Sequence, residues 1–193
     1  MIKLAITGGI GSGKSYVASI FEKHNIPVYN ADIESKRLTD TNDELRKKLI
    51  EIVGEECYDG TRLNRKFLAA YIFSSKEHLQ QINSIIHPAV YNDYIRWIQR
   101  NSQHEITIME SAILYESGFD KFVDKVISVY APLEIRIERV KQRDNAPEKE
   151  IISRINSQMN DDEKCSRADF VIINDGIKPV NSQVNDIINK LKS

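Results

Sequence analysis

Eight consecutive residues near the start of the chain, Gly8-Gly9-Ile10-Gly11-Ser12-Gly13-Lys14-Ser15, have the spacing G-x-x-x-x-G-K-[ST] of a phosphate-binding loop. The apolar, β-branched segment before them predicts a strand, and the apolar spacing after them predicts a helix face. A strand that turns through glycines into a helix directs several backbone N–H groups at one point, where the helix dipole adds positive potential. The pattern therefore predicts a binding site for a nucleoside triphosphate.

The side chains of this loop have distinct expected roles. Lys14 is expected to reach the β- and γ-phosphates as a catalytic positive charge, and Ser15 to place its hydroxyl on Mg²⁺. The glycines let the backbone curl around the anion without Cβ clashes. An incidental glycine-rich turn is the alternative, but the flanking strand and helix argue against it. The residues predicted to bind the nucleotide are Gly11, Ser12, Gly13, Lys14, Ser15 and Tyr16.

Two acidic residues follow predicted strands. Asp32 comes after the second strand, in Tyr29-Asn30-Ala31-Asp32, and is predicted to face the crevice of the phosphate loop, because ligands lie outside the carboxyl ends of parallel strands. It is a candidate general base, a role worth ~10²–10⁴ in rate, although position alone equally allows a helix N-cap. Glu110 ends the third strand and is the predicted Mg²⁺ residue with Ser15, although Asp is usual there. Glu116 is the less favoured alternative, either outside the ligand shell or solvated.

Arginines recur in the segment 133–167. Arg136, Arg139 and Arg143 have the spacing i, i+3, i+7 of one helix face. Their mutual repulsion costs a few tenths of a kcal/mol in an isolated helix, which is understandable if anionic phosphate lies between them. The segment holds eight basic and eight acidic residues, so it is no nucleic-acid patch. It is predicted to be a lid of two helices around Asn145-Ala146-Pro147, with a surface helix stabilised by internal ion pairs as the alternative.

Composition narrows the classes of protein. The chain has 193 residues, 41% of them hydrophobic, and a net charge of −1, so no global field attracts nucleic acid or anionic lipid. A strand directly after the initiator Met and the absence of a membrane-spanning apolar run predict a cytoplasmic protein without a signal peptide. Cys57 and Cys165 are far apart in sequence and are predicted to be reduced thiols rather than a disulfide or metal site.

The elements that must position these residues alternate between strands and helices, the pattern of an α/β protein with a parallel sheet. Segment 32–103 is predicted to be an all-helical insertion in which Pro88 opens a further helix. His87 then lies at an inter-helix turn, where a lone His is more often structural. The five predicted strands are Lys3–Thr7, Ile26–Tyr29, Ile106–Glu110, Val126–Tyr130 and Phe170–Ile173.

These motifs together resemble the dephospho-CoA kinase family, and the resemblance covers the chain from end to end. It rests on five elements: the loop Thr7–Ser15; Ala31-Asp32; Leu63-Asn64-Arg65 with Leu68 and Phe73; Ile86-His87-Pro88; and the segments Arg139-x-x-x-Arg143-Asp144, Arg154-x-x-x-Gln158 and Ala168-Asp169-Phe170-Val171-Ile172-x-Asn174. Three positions depart from the family pattern: Glu110 replaces Asp, Ala112 replaces Pro, and Asn30 replaces an acid. The element Asp-x-Pro-Leu-Leu-x-Glu is here Glu110-Ser111-Ala112-Ile113-Leu114-Tyr115-Glu116, and Asn30 stands where the family often has an acid.

The resemblance implies a P-loop NTPase three-layer α/β/α fold with a parallel five-stranded sheet. It implies transfer of the ATP γ-phosphate to the ribose 3′-hydroxyl of dephospho-CoA, with Mg²⁺. From its charge we expect no nucleic-acid or membrane partner, and we expect a monomer or weak homo-oligomer. Catalysis is then expected from Lys14, with Asp32 as base and Arg139 and Arg143 as phosphate clamps. The implied substrate residues are Asp32, Arg65 and His87. The implied parts are a nucleotide core (1–31, 104–132 and 168–193), a helical CoA-binding domain (32–103) and a lid (133–167).

Three other functions compete with this one. Another small-molecule kinase could act on a nucleoside monophosphate or a shikimate-like alcohol, although the long insertion argues for a larger acceptor. A GTPase switch needs Asn-Lys-x-Asp and Asp-x-x-Gly, and the sequence contains neither. A non-catalytic nucleotide-binding regulator should lack a usable base near the γ-phosphate.

Overall fold

The computed structural model describes residues 1–192, which form two compact units. The second unit is Ala31–Arg100, and the first contains the residues on either side of it. In chain order the elements before residue 101 are β1 (Ile2–Thr7), α1 (Lys14–Lys23), β2 (Val28–Asn30), α2 (Ala31–Thr41), α3 (Asp43–Val53), β3 (Tyr58–Asp59), β4 (Arg62–Leu63), α4 (Arg65–Phe73) and α5 (Lys76–Arg100). Those after it are β5 (Ile106–Glu110), β6 (Lys125–Tyr130), α6 (Leu133–Asp144), α7 (Glu148–Asn156), α8 (Asp161–Arg167), β7 (Phe170–Ile173) and α9 (Val180–Lys192).

The first unit is built on a five-stranded parallel sheet with the strand order β2-β5-β1-β6-β7. Its central strand β1 pairs in parallel with β5 on one side, where Ile6 is level with Glu110, and with β6 on the other. All five strands therefore end at the same edge of the sheet, and the phosphate loop follows β1 at this edge. The predicted five-stranded parallel sheet is confirmed.

Helices cover both faces of the sheet. Side chains alternate between the faces of a strand, and Leu4 and Ile6 of β1 pack in one apolar cluster with Phe21 of α1 and Val184 of α9. On β6, Ile127 belongs to the same cluster. The next residue, Ser128, points to the opposite face, where its hydroxyl lies 3.5 Å from the sulfur of Cys165 on α8. The three-layer α/β/α arrangement is thereby confirmed, with its main apolar core on the α1 and α9 side.

The predicted lid segment contains three helices instead of two. The turn at residues 145–147 is where the sequence predicted it, since α6 ends at Asp144 and its C-cap, Asn145, is in the left-handed conformation with φ 49°. A second boundary was missed. The side chain of Asn160 accepts a hydrogen bond from the backbone N–H of Asp162 at 2.7 Å, and this N-cap begins α8 as a separate helix.

The second unit is mainly helical, but the all-helical prediction is wrong at one place. Strands β3 and β4 form a small antiparallel hairpin, in which Tyr58 pairs with Leu63. Gly60 follows β3 with φ 59°, a conformation that suits a two-residue hairpin turn. Because Asp59 pairs with Arg62, the two turn residues are Gly60 and Thr61, and a glycine at the first of them is the local sequence signal for such a turn.

The expectation that Pro88 opens a new helix is also wrong, because α5 runs without interruption from Lys76 to Arg100. Pro88 removes one backbone donor from this helix. The helix is continuous because Ile82, Val90 and Tyr94, at helical spacing, are all buried. His87 consequently lies inside a helix and not at a turn.

Candidate active site

The loop between β1 and α1 has the backbone geometry of an anion site. Gly11 and Gly13 have φ of 81° and 94°, in the left-handed region that glycine adopts most readily. Their two N–H groups donate to no group of residues 1–192. The helix α1 begins at Lys14, so its positive end lies at the same place. Loop and helix start together therefore offer unsatisfied donors to a polyanion.

Two residues predicted to hold Mg²⁺ are in direct contact. The hydroxyl of Ser15 donates a 2.6 Å hydrogen bond to Oε1 of Glu110, and Nδ2 of Asn30 donates to Oε2 at 2.8 Å. Glu110 is buried, with 4% of its surface exposed. A hydroxyl and a carboxylate are hard oxygen donors of the kind that Mg²⁺ prefers.

Two protein oxygens are enough for Mg²⁺ that is bound together with phosphate, but too few to form a metal site made of protein ligands alone. Among residues 1–192 there is no group of three or more His, Cys, Asp or Glu side chains placed to hold a metal ion. Mg²⁺ at phosphoryl-transfer sites uses one or two protein oxygens and completes its shell with phosphate and water. Ser15 and Glu110 are such a minimal set.

Lys14 is also part of this loop. Its side chain is mostly buried, with 9% of the residue exposed, and its Nζ lies 3.3 Å from the carbonyl oxygen of Gly9. The neighbouring Ser12 is buried as well, whereas half of Tyr16 is exposed on the outer side of α1. The ammonium group is therefore positioned by the loop itself.

The three arginines of α6 have different surroundings. Arg139 donates to the carbonyls of Gly11 and Ser12 at 3.4 Å each and to the backbone oxygen of Asn174 at 3.1 Å. Arg136 is buried and donates through Nε to the carbonyl of Ile10 at 2.8 Å. The structure thus places two of the three against the backbone of the phosphate loop.

Arg143 contacts a different group. Its guanidinium forms a bidentate pair with the carboxylate of Asp144, at 2.7 and 3.1 Å, and its side chain is 62% exposed. The hydrogen bond from Arg143 lowers the pKa of Asp144 below its ordinary value. Arg154 of α7 also donates to Asp144. This part of the segment 133–167 therefore contains the internal ion pairs that the sequence left open as an alternative.

Glu116 contacts Met159 and Lys164 of the segment 133–167 and not the phosphate loop. Its carboxylate accepts from the backbone N–H of Met159 at 2.8 Å and pairs with Nζ of Lys164 at 3.2 Å. Lys164 is fully buried and also donates to the carbonyl of Ala112. The choice of Glu110 over Glu116 as the residue beside Ser15 agrees with these contacts. Lys164 was missed because its charge in a short polar helix gave no sign of burial.

A cavity of about 670 Å³ opens between helices of the segment 133–167 and the end of β6. Its wall includes the polar side chains of Arg136, Gln158 and Asp161 and the apolar side chains of Leu133 and Ile152. Its volume lies within the usual range of small-molecule sites. Arg136, Gln158 and Asp161, which contact the phosphate loop, therefore also border space of ligand size.

Three predicted substrate residues belong to the second unit. Asp32 lies in the first turn of α2, inside the helix, so it is not the N-cap that position alone allowed. Its carboxylate is exposed and makes no hydrogen bond or ion pair within the described part of the chain. An exposed acid without a structural partner in residues 1–192 is available for chemistry.

Arg65 and His87 have structural contacts of their own. Arg65, at the start of α4, donates to Asp40 at 2.9 Å. Burial alone would raise the pKa of Asp40, but hydrogen bonds from the backbone of Leu63 and from Arg65 lower it. His87 is half-buried in α5, and burial lowers the pKa of its imidazole below 6.5. The side chain of Arg65 is therefore held in place by Asp40, and the imidazole of His87 favours the neutral form.

None of the helices within residues 1–192 combines the length and the apolar character of a membrane-spanning segment.

The chain resembles known proteins both in sequence and in fold. The family model described as dephospho-CoA kinase matches residues 2–179. The dephospho-CoA kinase of Bacteroides fragilis is 51% identical over 187 residues, which cover 97% of this chain and 91% of that protein. A crystal structure from Thermus thermophilus superposes with a TM-score of 0.88 at 30% identity, covering 100% of this chain and 98% of the other. For the dephospho-CoA kinase of Campylobacter jejuni the TM-score is 0.70 at 23% identity, with coverage of 98% and 96%, a likeness of fold. The family model and the Bacteroides relative both match most of the length of this chain. The chain therefore belongs to the dephospho-CoA kinase family.

Proposed function

We propose that this protein transfers the γ-phosphate of ATP to the ribose 3′-hydroxyl of dephospho-CoA and releases coenzyme A and ADP. The observation that carries the proposal is the contact of Ser15 with Glu110 beside a loop whose Gly11 and Gly13 N–H groups have no partner in residues 1–192. This combination suits a triphosphate with its cation. The relatives that bear the name dephospho-CoA kinase indicate which acceptor it serves.

The phosphate loop supplies the electrostatic part of this mechanism. The amides of Gly11 to Ser15, with Tyr16 at the following position, are proposed to bind the phosphates, and Lys14 to neutralise charge on the β- and γ-phosphates. Ser15 and Glu110 would hold Mg²⁺, which when bound neutralises charge on the phosphate oxygens. Because the transferred group needs positioning and charge stabilisation, a single in-line transfer without a phosphoenzyme accounts for the reaction.

The acceptor side is assigned to other residues. Asp32 is proposed to take the proton of the attacking hydroxyl, and its exposed carboxylate without a partner in residues 1–192 supports this role. Arg65 and His87 are proposed to bind dephospho-CoA within a helical domain at 32–103. In the lid at 133–167, Arg139 and Arg143 are proposed to clamp phosphates.

The partners, the location and the oligomeric state are part of the same proposal. ATP and dephospho-CoA are the expected partners, bound by a nucleotide core at 1–31, 104–132 and 168–193 and by the helical domain. The net charge of −1 gives no field that would attract nucleic acid or a membrane surface. We expect a cytoplasmic monomer or weak homo-oligomer.

The proposed function is tested by offering the purified protein Mg²⁺-ATP with one of three acceptors and following ADP release. Dephospho-CoA should give turnover far above the rate without acceptor, while adenosine monophosphate and shikimate should stay near that rate. Preference for adenosine monophosphate or shikimate would transfer the protein to another class of small-molecule kinase. If the rate of ADP release is the same with each of the three acceptors as without any acceptor, the proposed function is rejected.

The metal assignment gives a separate prediction. In Glu110→Gln the carboxylate beside Ser15 is lost, so the Mg²⁺ concentration for half-maximal rate should rise about tenfold or more, as for groups that tune a metal site. Glu110→Asp, which keeps a carboxylate, should lie closer to wild type. The measurement is a Mg²⁺ titration at saturating ATP.

A matched control is Glu105→Gln, which removes an exposed carboxylate just before β5. Its Mg²⁺ titration should coincide with that of the wild type. If Glu110→Gln also coincides with the wild type, Glu110 does not hold the cation.

A further inference from the structure

The outer half of the phosphate loop is bonded to residues of the lid segment. The N–H of Gly9 donates to Oδ1 of Asp161 at 3.1 Å, and the N–H of Ile10 donates to Oε1 of Gln158 at 2.8 Å. The carbonyl of Ile10 accepts from Nε of Arg136 at 2.8 Å. Both N–H groups and the second carbonyl of the Gly9-Ile10 pair are thus held by side chains more than a hundred residues away in sequence.

The inner half of the loop is treated differently. The N–H groups of Gly11 and Gly13 have no acceptor within residues 1–192, whereas the carbonyl of Ser12 accepts from Nδ2 of Asn174 at 2.8 Å. The N–H of Ser12 donates to the carbonyl of Gly9 within the loop at 3.1 Å. The loop is therefore fixed from outside through its first amides and its carbonyls, and the amides of Gly11 and Gly13 are left for phosphate.

The side chains that hold the outer half are themselves fixed. Arg136, which is 3% exposed, forms an ion pair with Asp161, so two of the three groups are locked to each other. Asp161 begins α8, and the buried Lys164 of that helix is bonded to the carbonyl of Ala112 and paired with Glu116. Each of these charged side chains thus has a partner of opposite charge that restrains its position.

Gly9 supplies an independent observation. A Cβ atom at this position would overlap the guanidinium of Arg136 and the carboxylate of Asp161. The backbone of Gly9 is not in the left-handed region, so an alanine there would displace these two side chains without straining the backbone. Gly9 is not one of the fixed positions of the phosphate-loop motif, and the close approach of the ion pair accounts for it.

We propose that Gln158, together with the Arg136–Asp161 ion pair, is a positioning device that holds the Gly9-Ile10 backbone so that the inner amides of the phosphate loop stay aimed at a bound polyphosphate. The lid segment thereby sets the affinity of the loop for phosphate without touching the phosphate through these groups. This inference rests on the proposed nucleotide site.

The test compares two ligands that differ only in phosphate, ADP and adenosine, in binding measured by calorimetry. Gln158→Met keeps the length of the side chain but removes the acceptor for Ile10, so the ratio of the ADP to the adenosine association constant should fall about tenfold. Gly9→Ala should lower the same ratio, because its methyl group displaces the ion pair. Gln142→Met, which changes an exposed glutamine of α6 bonded only to Glu138, should keep the wild-type ratio.

Thermal melting of each variant checks that it is folded. A ratio within twofold of wild type in folded Gln158→Met overturns the proposal, as does an equal loss of affinity for ADP and adenosine. If Gln158→Met does not fold, Gly9→Ala decides by the same criterion. Wild-type protein that fails to bind ADP would instead reject the proposed nucleotide site, so the two failures are distinguishable.

Discussion

Asp32→Asn is expected to lower kcat with dephospho-CoA by ~10²–10⁴ while the KM for ATP changes little. The amide is nearly the same size as the carboxylate but cannot accept the proton of the attacking hydroxyl. The carboxylate makes no hydrogen bond or ion pair within residues 1–192, so its replacement should leave the thermal stability of the protein nearly unchanged. Initial rates at saturating ATP and dephospho-CoA measure the effect.

Asp43→Asn is the matched control for this experiment. Asp43 is also an exposed acid in the first turn of a helix, α3, and it receives no role in the mechanism. Its kcat should stay within about twofold of wild type, as for most exposed positions. Near-normal turnover in Asp32→Asn would remove Asp32 from the role of base.

Lys14→Ala is expected to weaken nucleotide binding and the rate together. The ammonium group at the start of α1 is proposed to neutralise charge on the β- and γ-phosphates in both the bound and the transition state. Its loss should lower kcat/KM for ATP by ~10²–10³, the scale for removing one group that stabilises developing charge. The measurement is kcat/KM for ATP, together with ADP affinity by calorimetry.

Lys23→Ala provides the control, because Lys23 lies in the last turn of the same helix and is exposed. It should leave both quantities close to wild type. If Lys14→Ala lowered kcat but left ADP binding intact, Lys14 would act on the transition state alone, and the proposed role in nucleotide binding would be wrong.

Local patterns in the sequence were sufficient for the sheet and for the loop. β1, β5, β6 and β7 are short apolar runs with turn or helix signals on both sides, so period and composition agree with the tertiary structure. The phosphate loop could be predicted because its glycine spacing is itself a backbone requirement. Since Ser15 and Glu110 each follow from a strand and its end, the parallel sheet alone was enough to predict that they meet.

Long-range contacts explain what the sequence did not reveal. The roles of the three arginines of α6 depend on which partners the fold supplies, and helical spacing cannot distinguish buried Arg136 from exposed Arg143. The continuity of α5 through Pro88 and the burial of Lys164 are decided by packing across elements. Local propensity carries no information on such partners.

Two departures from the family pattern are explained by a single contact. Asn30 stands where the family often has an acid, and its amide donates to the carboxylate of Glu110, which replaces the Asp of the family pattern. An acid at residue 30 would place a second negative charge against buried Glu110. The amide at this position is therefore compatible with the longer carboxylate, and the pair could be recognised only in three dimensions.

The position of phosphoryl transfer is the most direct test of the central claim. Two analogues of dephospho-CoA, one lacking the ribose 3′-hydroxyl and one lacking the 2′-hydroxyl, are each supplied with Mg²⁺-ATP, and phosphorylated product is measured by mass spectrometry. Phosphoryl transfer to the 3′-hydroxyl predicts product from the 2′-deoxy analogue and none from the 3′-deoxy analogue. Phosphorylation of the 3′-deoxy analogue would contradict it.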